Sequence, residues 1–275
     1  MLNIRDILSS AKVRLCSGGI VSGDSDAEFL LAHVLGVSRS QLYMEAVISD
    51  HSMERFADLI SRRLHHEPMD SLIGYTEFLG LKFPFNKDTL TPRQETEIMT
   101  DNIIKDHSHR MGLSVLDLCC GSGCIGLSVS KHLNAHVILA DISPKVVEIA
   151  KENATLNNVD GNFIVSNLFD NVVGLFDIII SNPPYIPSSD LYELESEVKD
   201  YDPSLALDGG ADGLDFYRKI ISEAPKYLKD NGLIYMEFGI NQAKDIYNLM
   251  QKDFKNIEIV KDYSGIERYI KGQKK

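Results

Sequence analysis

The sequence lacks long hydrophobic runs, has few cysteines and is poor in basic residues. No run of apolar residues is longer than four, which is far too short to span a bilayer. Charged residues interrupt the N-terminal segment, so it has no signal-peptide core. Four cysteines in 275 residues, three of them close together, do not make a disulfide framework. These absences predict a reduced, cytoplasmic protein with no membrane segment.

The charge balance is acidic. Lys and Arg number 28 against 40 Asp and Glu, which gives a formal net charge of −12. Such a surface repels phosphate, so direct binding to duplex DNA or to an anionic membrane is not expected. Nine of the acidic residues, with Lys199 as the only base, lie between Asp190 and Asp215. This acidic segment is interpreted either as a solvated flap or as a surface that favours a basic protein substrate.

Hydrophobic spacing divides the chain into three parts. Residues 1–70 have helical periodicity and predict a small helical domain, for which a stabilising role and a partner-docking role stay equally open. In its second helix, Asp24 or Ser25 is the expected N-cap and Gly36 the expected end. Residues 71–92 predict a β-hairpin linker. Residues 93–275 form the third part, and Pro92 is expected at the first position of a helix that reaches about Lys105.

From residue 114 onward, strand and helix patterns alternate. Such alternation predicts an α/β class with a mostly parallel sheet and helices on both faces. Helices are expected at 123–133, 143–157, 213–229 and 241–252, and strands at Ser114–Leu118, His136–Ala140, Asn162–Val165, Asp177–Ser181, Leu233–Phe238 and Ile257–Val260.

A glycine-rich loop follows the first of these strands. Gly121 and Gly123 allow a sharp turn and a close approach of the backbone to a ligand. With Gly126 they fit a dinucleotide-binding pattern, and Asp141 ends the next strand at the distance expected for a ribose contact. The loop predicts a cofactor that contains adenosine. It leaves NAD and S-adenosylmethionine both open, and a structural turn without a ligand is the plain alternative.

Three cysteines lie in this loop. Cys119, Cys120 and Cys124 lack the paired spacing of zinc sites, and Cys16 is far away in the sequence. They are interpreted as small packing residues, and no metal is expected.

A second motif, Asn182-Pro183-Pro184-Tyr185, ends a later strand. The two prolines fix the backbone and remove its donors, so the oxygens of Asn182 and Pro183 are left as rigid acceptors. Two acceptors beside an aromatic ring suit a planar NH₂ group, with Tyr185 packing on its flat face. The amide of glutamine and the exocyclic amine of adenine both fit, and the plain alternative is a proline turn with a packing tyrosine.

With these motifs in place, the chain resembles the family of release factor glutamine N5-methyltransferases, the HemK/PrmC type. The likeness covers nearly the whole length. Beyond Asn182–Tyr185, the matching segments are Gly74-Tyr75…Phe78-x-Gly80, Thr91-Pro92-Arg93-x-Glu95-Thr96-Glu97, Asp117…Gly121-Ser-Gly123-Cys-Ile, Ala206-Leu-Asp-Gly-Gly210…Asp212-Gly-Leu214 and Glu237-x-Gly239.

The resemblance implies a Rossmann-like, seven-stranded methyltransferase domain preceded by a small helical domain. It implies S-adenosyl-L-methionine as the cofactor and N5-methylglutamine, in the Gly-Gly-Gln loop of a peptide chain release factor, as the product. The catalytic residues would be Asn182, Pro183 and Tyr185. Pro184, Arg93 and Glu95 would join them in binding the substrate, and the cofactor would contact Asp117, Cys119, Cys120, Gly121, Ser122, Gly123, Asp141, Ile142, Asn167, Leu168 and Asn182.

The sequence departs from the family pattern in three places. Cys119-Cys120 replaces the usual Gly-Thr, Gln94 replaces a second proline, and Asn167-Leu168 replaces an Asp-aromatic pair. These changes predict altered cofactor affinity with the reaction class retained, since an Asn oxygen also accepts a hydrogen bond from adenine.

Three alternatives differ from this interpretation in class or substrate. A DNA adenine-N6 methyltransferase would use the same acceptors but needs a basic groove for a flipped base. An NAD-dependent oxidoreductase would use the glycine loop but leaves Asn182–Tyr185 unexplained. A ribosome-associated binding module would keep the cofactor pocket without turnover. Another protein glutamine is also a possible substrate, and a monomer is expected because no apolar dimer face is evident.

Overall fold

The computed structural model describes residues 3–44 and 48–275, and these form two compact units. The first unit takes the described residues up to Tyr75 together with Glu195–Tyr201. The second takes Thr76–Leu194 and Asp202–Lys275. In the described ranges, no helix is both long enough and apolar enough to cross a bilayer.

The first unit is helical, as the periodicity predicts. Its core is formed by apolar residues of several helices, among them Leu15, Leu30 and Ile60. The bounds are α1 Ile4–Ser17, α2 Gly23–Leu35, α3 Arg39–Leu42, α4 Asp50–Leu64 and α5 Met69–Ile73.

The start of α2 differs from its prediction. Its N-cap is Ser22, so Asp24 and Ser25 both lie inside the helix and the expected cap was wrong. The hydroxyl of Ser22 is bonded to the Asp26 carboxylate at 2.7 Å. Gly36 ends the helix in the left-handed conformation, as predicted.

Arg63 explains why a short piece of the acidic segment groups with this unit. Its buried guanidinium forms ion pairs of 2.8 Å with Asp26 and with Glu197. Glu197 lies in α9 (Ser196–Lys199), and the pair places one acidic side chain of the segment on a buried arginine.

The second unit begins with the predicted hairpin, β1 (Tyr75–Phe78) and β2 (Leu81–Pro84), followed by α6 (Gln94–His107). The prediction that Pro92 opens α6 was wrong. Arg93 is extended, with φ −102° and ψ 156°, and caps the helix, so the helical backbone begins at Gln94, two residues after Pro92. Thr91, Pro92 and Arg93 line a cavity.

The seven-stranded sheet has the order β5-β4-β3-β6-β7-β9-β8. The strands up to β7 are parallel to their neighbours, and β9 runs antiparallel between β7 and β8. The bounds are β3 Ser114–Leu118, β4 His136–Asp141, β5 Asn162–Val165, β6 Phe176–Ser181, β7 Leu228–Glu237, β8 Phe254–Lys261 and β9 Glu267–Lys274, with helices α7 Cys124–Leu133, α8 Pro144–Asn157, α10 Asp215–Tyr227 and α11 Ala243–Met250.

Strand β9 has no counterpart among the strands expected from the periodicity. Its apolar pair, Tyr269 and Ile270, is adjacent rather than alternating, and most of its other residues are charged or polar. The segment forms a strand because its backbone pairs with β7 and β8. Its side-chain pattern gives no indication of that pairing. Strand β7 is also longer than predicted and begins at Leu228, directly after α10.

Two apolar cores cover the two faces of the sheet. Val115 and Ile180 point into one, with α6 and α7, while Leu116 and Ile179 point into the other, with α10 and α11. The alternation follows from the period of a strand. In register, Leu118 of β3 lies beside Ala140 of β4 on one side and Ser181 of β6 on the other. The carboxyl ends of the parallel strands therefore meet at one edge, which is where α/β sheets bind ligands.

Candidate active site

A cavity of about 330 Å³ lies at this edge. Its polar lining comes from the loops that follow β3, β4 and β6, and its apolar wall includes Pro203, Leu205 and Phe216. The predicted site residues that line the cavity are Arg93, Cys119, Cys120, Gly121, Ser122, Asp141, Ile142, Asn167, Leu168, Asn182 and Pro184, and those that do not are Glu95, Asp117, Gly123, Pro183 and Tyr185.

The glycine loop is held in shape by two carboxylates. The Oδ2 atom of Asp117 accepts a hydrogen bond of 2.8 Å from the backbone N–H of Gly126. Asp141 accepts one of 3.1 Å from the N–H of Gly121, at a residue whose φ of +54° favours glycine. A second bond of 3.1 Å, from the N–H of Ser143, fixes the other oxygen of Asp141. Asp141 lines the cavity, and a carboxylate has about four acceptor sites, so it can still accept from a hydroxyl group of a ligand.

Packing also favours glycine at the second glycine position of the loop, Gly123. Its φ is +81°, and a Cβ there would lie 3.2 Å from both Leu127 and Leu139. Gly123 caps α7 behind the loop and does not line the cavity, so its contribution is to the turn.

Asp117 is fully buried, and its Oδ1 has no hydrogen-bond partner. Burial, with a smaller contribution from Asp141, raises the pKa of Asp117 to about 7. The free energy of unfolding therefore includes a favourable contribution from protonated Asp117 that is fully present below the unfolded pKa of 3.8. That contribution is lost as the pH rises through about 7.

We expect Asp117→Asn to flatten the pH dependence of stability. Titration of Asp117 lowers the free energy of unfolding by on the order of 3 kcal/mol between pH 5 and pH 8. The neutral amide of asparagine does not titrate, so this decrease should be absent from the variant. The measurement is urea unfolding at both pH values. Asp245→Asn, an exposed carboxyl on α11, is the matched control and should leave the pH slope as in the wild type. Equal slopes for Asp117→Asn and the wild type would contradict the assignment.

The loop cysteines are thiols rather than thiolates. Burial raises the pKa of Cys119 and of Cys124 to about 12, and that of Cys120 well above its usual value. Protonated thiols are poor nucleophiles and poor metal ligands. In the part of the chain that the structure describes, no group of three or more His, Cys, Asp and Glu side chains is placed to hold a metal ion.

Asn182 follows β6 and lines the cavity, half-buried. Its Nδ2 donates a hydrogen bond of 3.3 Å to the hydroxyl of Thr96, at the start of α6. Among the described residues, none donates to Oδ1 of Asn182 or to the backbone carbonyl of Pro183. The amide is thus anchored through its NH₂ group, and its oxygen is left as an acceptor at the cavity.

The segment Pro183–Tyr185 is closely packed from behind. The side-chain amide of Gln242 donates to the Tyr185 carbonyl at 2.8 Å, and its oxygen accepts from the N–H of Gly239 at 2.9 Å. A Cβ on Gly209 would lie 2.8 Å from Cα of Tyr185, and one on Gly239 would lie 2.9 Å from the Tyr185 ring. The glycines of the two downstream motifs therefore serve the contact with Tyr185.

Tyr185 itself stays protonated, since burial raises its pKa to about 12. Its ring packs against the core on the side of α10 and α11 and does not line the cavity. It can position the backbone of Pro183 and Pro184, and it is not placed as a base.

Arg93 and Glu95 have different surroundings. Arg93 lines the cavity and forms an ion pair with the buried Asp202. Glu95 does not line it and pairs with Arg268 at 3.0 Å. The ion pair of Arg93 ties the segment before α6 to the segment that carries Pro203 and Leu205.

Other residues at the site were missed by the sequence reasoning. Thr96 lay inside a quoted motif, but only the fold brings its hydroxyl to Asn182. Glu237 also lay inside a motif of the family resemblance, Glu237-x-Gly239, but was given no role there, and Gln242 lay in no motif. Only the fold brings these two residues close to Asn182 and Tyr185. The remaining cavity residues of this kind are Asp88, Thr89, Leu90, Ile125, Ser143, Lys145, Val146, Ser166, Ala206 and Lys219.

Comparison with known proteins agrees with this architecture. A family described as "PrmC N-terminal domain" matches residues 6–74, and one described as "Methyltransferase small domain" matches residues 93–194. The release factor glutamine methyltransferase of Thermodesulfovibrio yellowstonii is 40% identical over 256 residues, covering 90% of this chain and 92% of the relative. The chain belongs to the release factor glutamine methyltransferase family. The resemblance inferred from the sequence is thereby confirmed.

Further relatives extend the match over almost the whole chain. The family member of Agrobacterium fabrum is 38% identical, covering 96% of this chain and 94% of its own. Among solved structures, a methyltransferase of Pyrococcus furiosus has a TM-score of 0.53 at 18% identity, covering 70% of this chain and 89% of its own. An rRNA methyltransferase of Thermus thermophilus, solved with S-adenosylmethionine and guanosine, has a TM-score of 0.55 at 16% identity, covering 73% and 50%. These structures show the fold alone, and the predicted α/β class with a preceding helical domain is confirmed.

Proposed function

We propose that this protein transfers a methyl group from S-adenosyl-L-methionine to the side-chain amide nitrogen of the glutamine in the Gly-Gly-Gln motif of a peptide chain release factor. The observation that carries the proposal is the pair of free acceptors, Oδ1 of Asn182 and the Pro183 carbonyl, beside a cavity in a chain of this family. Because translation takes place in the cytoplasm, the proposal places the protein there.

The cavity residues fit the proposed cofactor. Asp141, whose carboxylate lines the cavity, is proposed to accept from the ribose hydroxyls. The loop Cys119–Gly123 is proposed to face the methionine moiety, and Asn167 and Leu168 the adenine, with Ile142 beside it. Asp117 is proposed to act through the loop, because it lies buried behind Gly126. When bound, S-adenosylmethionine supplies an activated methyl group on a sulfonium.

The chain's contribution to catalysis is orientation and charge stabilisation. The lone pair of an amide nitrogen is delocalised, so a substrate glutamine is a poor nucleophile. Acceptors on Asn182 and Pro183 would hold both of its N–H groups, aim the nitrogen and stabilise the positive charge that develops there. Tyr185 and Pro184 would keep that segment in place. No strong base is needed before transfer, since the methylated amide can lose its proton late.

The roles of Arg93 and Asp202 follow from their ion pair. Arg93 lines the cavity, and Asp202 belongs to the same acidic segment as Leu205 on the cavity wall. We propose that this pair keeps the stretch from Asp202 to Leu205 at the cavity, where the acidic charge of this part of the chain favours a basic protein substrate over nucleic acid.

The test is mass spectrometry of a purified release factor after incubation with the protein and S-adenosylmethionine. We expect the Gly-Gly-Gln peptide to gain the mass of one methyl group, with the modification on the glutamine side chain. Duplex DNA in a parallel reaction is the control for the adenine alternative, which shares the planar NH₂ group. Methylated adenine without methylated glutamine would overturn the substrate assignment and retain the chemistry.

A further inference from the structure

Glu237, at the end of β7, is a buried carboxyl beside the proposed acceptor site. Only 4% of its surface is exposed, and its Oε2 has no hydrogen-bond partner among the residues that the structure describes. Its backbone is fixed on both sides, by pairing with Tyr269 of β9 and by a 2.6 Å hydrogen bond from the hydroxyl of Tyr217. The side chain is thus held at a defined place at the carboxyl edge of the sheet.

The carboxyl interacts with both members of the Asn182 anchor. The Thr96 hydroxyl and the Asn182 amide both interact favourably with the carboxylate and lower the pKa of Glu237. Thr96 also accepts from Nδ2 of Asn182 at 3.3 Å. Three side chains from β7, α6 and the end of β6 therefore form one polar cluster, which we name the Glu237 cluster. Its members are Glu237, Thr96 and Asn182.

A purely structural purpose does not account for a carboxyl at this position. A buried oxygen without a partner costs free energy, and an amide or apolar side chain of similar size would cost less. The carboxyl has one property that these replacements lack, because it can carry a negative charge next to the NH₂ group of Asn182.

We propose that Glu237 is a positioning residue that holds the Asn182 side chain, with Thr96, so that Oδ1 of Asn182 accepts from the substrate amide. The proposal rests on the function proposed above. A negative charge on Glu237 polarises the Asn182 amide, which makes Oδ1 a stronger acceptor for an N–H that becomes more positive during methyl transfer. Glu237 acts through Asn182 and does not itself contact the substrate.

The electrostatic surroundings of Glu237 make its charge dependent on pH. Burial raises its pKa to about 7, opposed by the two side-chain hydrogen bonds. Glu95 raises this pKa and Arg268 lowers it. Of the other titratable groups that interact with it, Tyr185 and Cys124 have pKa values raised to about 12, and burial raises the pKa of Tyr217 well above its usual value, so all three stay neutral. Charge on Glu237 is therefore gained as the pH rises through about 7.

The first test is the pH profile of kcat at saturating S-adenosylmethionine and release factor. We expect Glu237→Gln to lower kcat about tenfold at pH 8, since a charge-assisted hydrogen bond is replaced by a neutral one. At pH 6, where the wild-type carboxyl is mostly protonated, the two should agree within about twofold. Asp245→Asn, an exposed carboxyl on α11 outside the cavity, is the matched control and should retain the rise of kcat with pH.

Thr96 gives a second variant in the same cluster. Thr96→Val removes the hydroxyl with little change of shape and is expected to lower kcat about tenfold, with a smaller effect on the KM for S-adenosylmethionine. Thr100→Val is the matched control, one turn further along α6, where the hydroxyl bonds only to the Thr96 carbonyl at 2.8 Å. Equal losses for the two valine variants, or a pH-independent loss for Glu237→Gln, would overturn the proposal.

A second readout needs neither cofactor nor substrate. In ¹⁵N-labelled protein, the side-chain NH₂ signals of Asn182, identified by their absence from Asn182→Asp, should shift with the titration of Glu237 and stay constant in Glu237→Gln. If the wild type fails to methylate a release factor but this titration is seen, the proposed substrate falls and the positioning role stands. If methylation proceeds and neither kcat nor these signals depend on Glu237, the positioning role alone is overturned.

Discussion

Asn182→Ala is expected to lower kcat for release factor methylation by about a thousandfold. The substitution removes Oδ1, one of the two proposed acceptors and the one that belongs to a cavity-lining residue, and with it the anchor to Thr96. A hydrogen bond that strengthens as charge develops contributes to the transition state far more than to substrate binding. The measurement is single-turnover methyl transfer from labelled S-adenosylmethionine at saturating substrate.

Measuring cofactor binding distinguishes a specific loss of kcat in Asn182→Ala from a general disruption of the site. The loop Cys119–Gly123 and Asp141 stay as they are, so the Kd of S-adenosylmethionine for Asn182→Ala should remain within a few-fold of the wild type. Asn248→Ala, at an exposed position of α11 away from the cavity, is the matched control and should keep full activity. A kcat near the wild-type value in Asn182→Ala would show that the acceptor lies elsewhere.

Gly213→Ala is expected to lower kcat about a hundredfold through the position of Tyr185. Gly213 has a φ of +75°, and a Cβ there would collide with the Tyr185 carbonyl and lie 2.6 Å from Nε2 of Gln242. These two groups form the 2.8 Å hydrogen bond that fixes the backbone after Pro184. The Tyr185 carbonyl belongs to the backbone and cannot move aside as the end of a flexible side chain would. The collision therefore displaces the segment Asn182–Tyr185.

A control variant at a second glycine distinguishes the effect of the collision from the effect of backbone strain. Gly265 has a similar φ of +82°, and a Cβ there meets no atom within 4 Å. Gly265→Ala should cost about 1 kcal/mol of stability from the left-handed backbone alone and leave kcat unchanged. Gly213→Ala should cost more in urea unfolding and lose activity as well. Equal activity in both variants would mean that Gly213 is needed only for its turn.

Agreement between sequence and structure is best where one local rule decides. The strands Ser114–Leu118 and Asn162–Val165 agree residue for residue with their predictions, because each is a short run bounded by turns. Gly36 ends α2 as expected, since the left-handed cap favours glycine. The expected start of α6 at Pro92 was wrong, because the segment before it follows the cavity wall.

The proposed site likewise has a part that local motifs predict and a part that depends on long-range contacts. The glycine loop and Asn182–Tyr185 are contiguous motifs that end neighbouring strands, so the rule for carboxyl ends of parallel strands brings them together. Pro183 and Tyr185 do not line the cavity, and their contact with the substrate stays a prediction. Their contacts with Gly209, Gly239 and Gln242 depend on segments far apart in sequence.

The family, the α/β class, the glycine loop and the strand-end motif could all be inferred from the sequence. Local spacing is sufficient for these features, because each depends on residues close together in the chain. The contacts of Thr96, Glu237 and Gln242 with the proposed site, and the burial that brings the pKa values of Asp117 and Glu237 to about 7, became evident from the folded structure alone. Burial and long-range hydrogen bonds depend on what the fold brings alongside each residue, and a one-dimensional pattern does not contain that information.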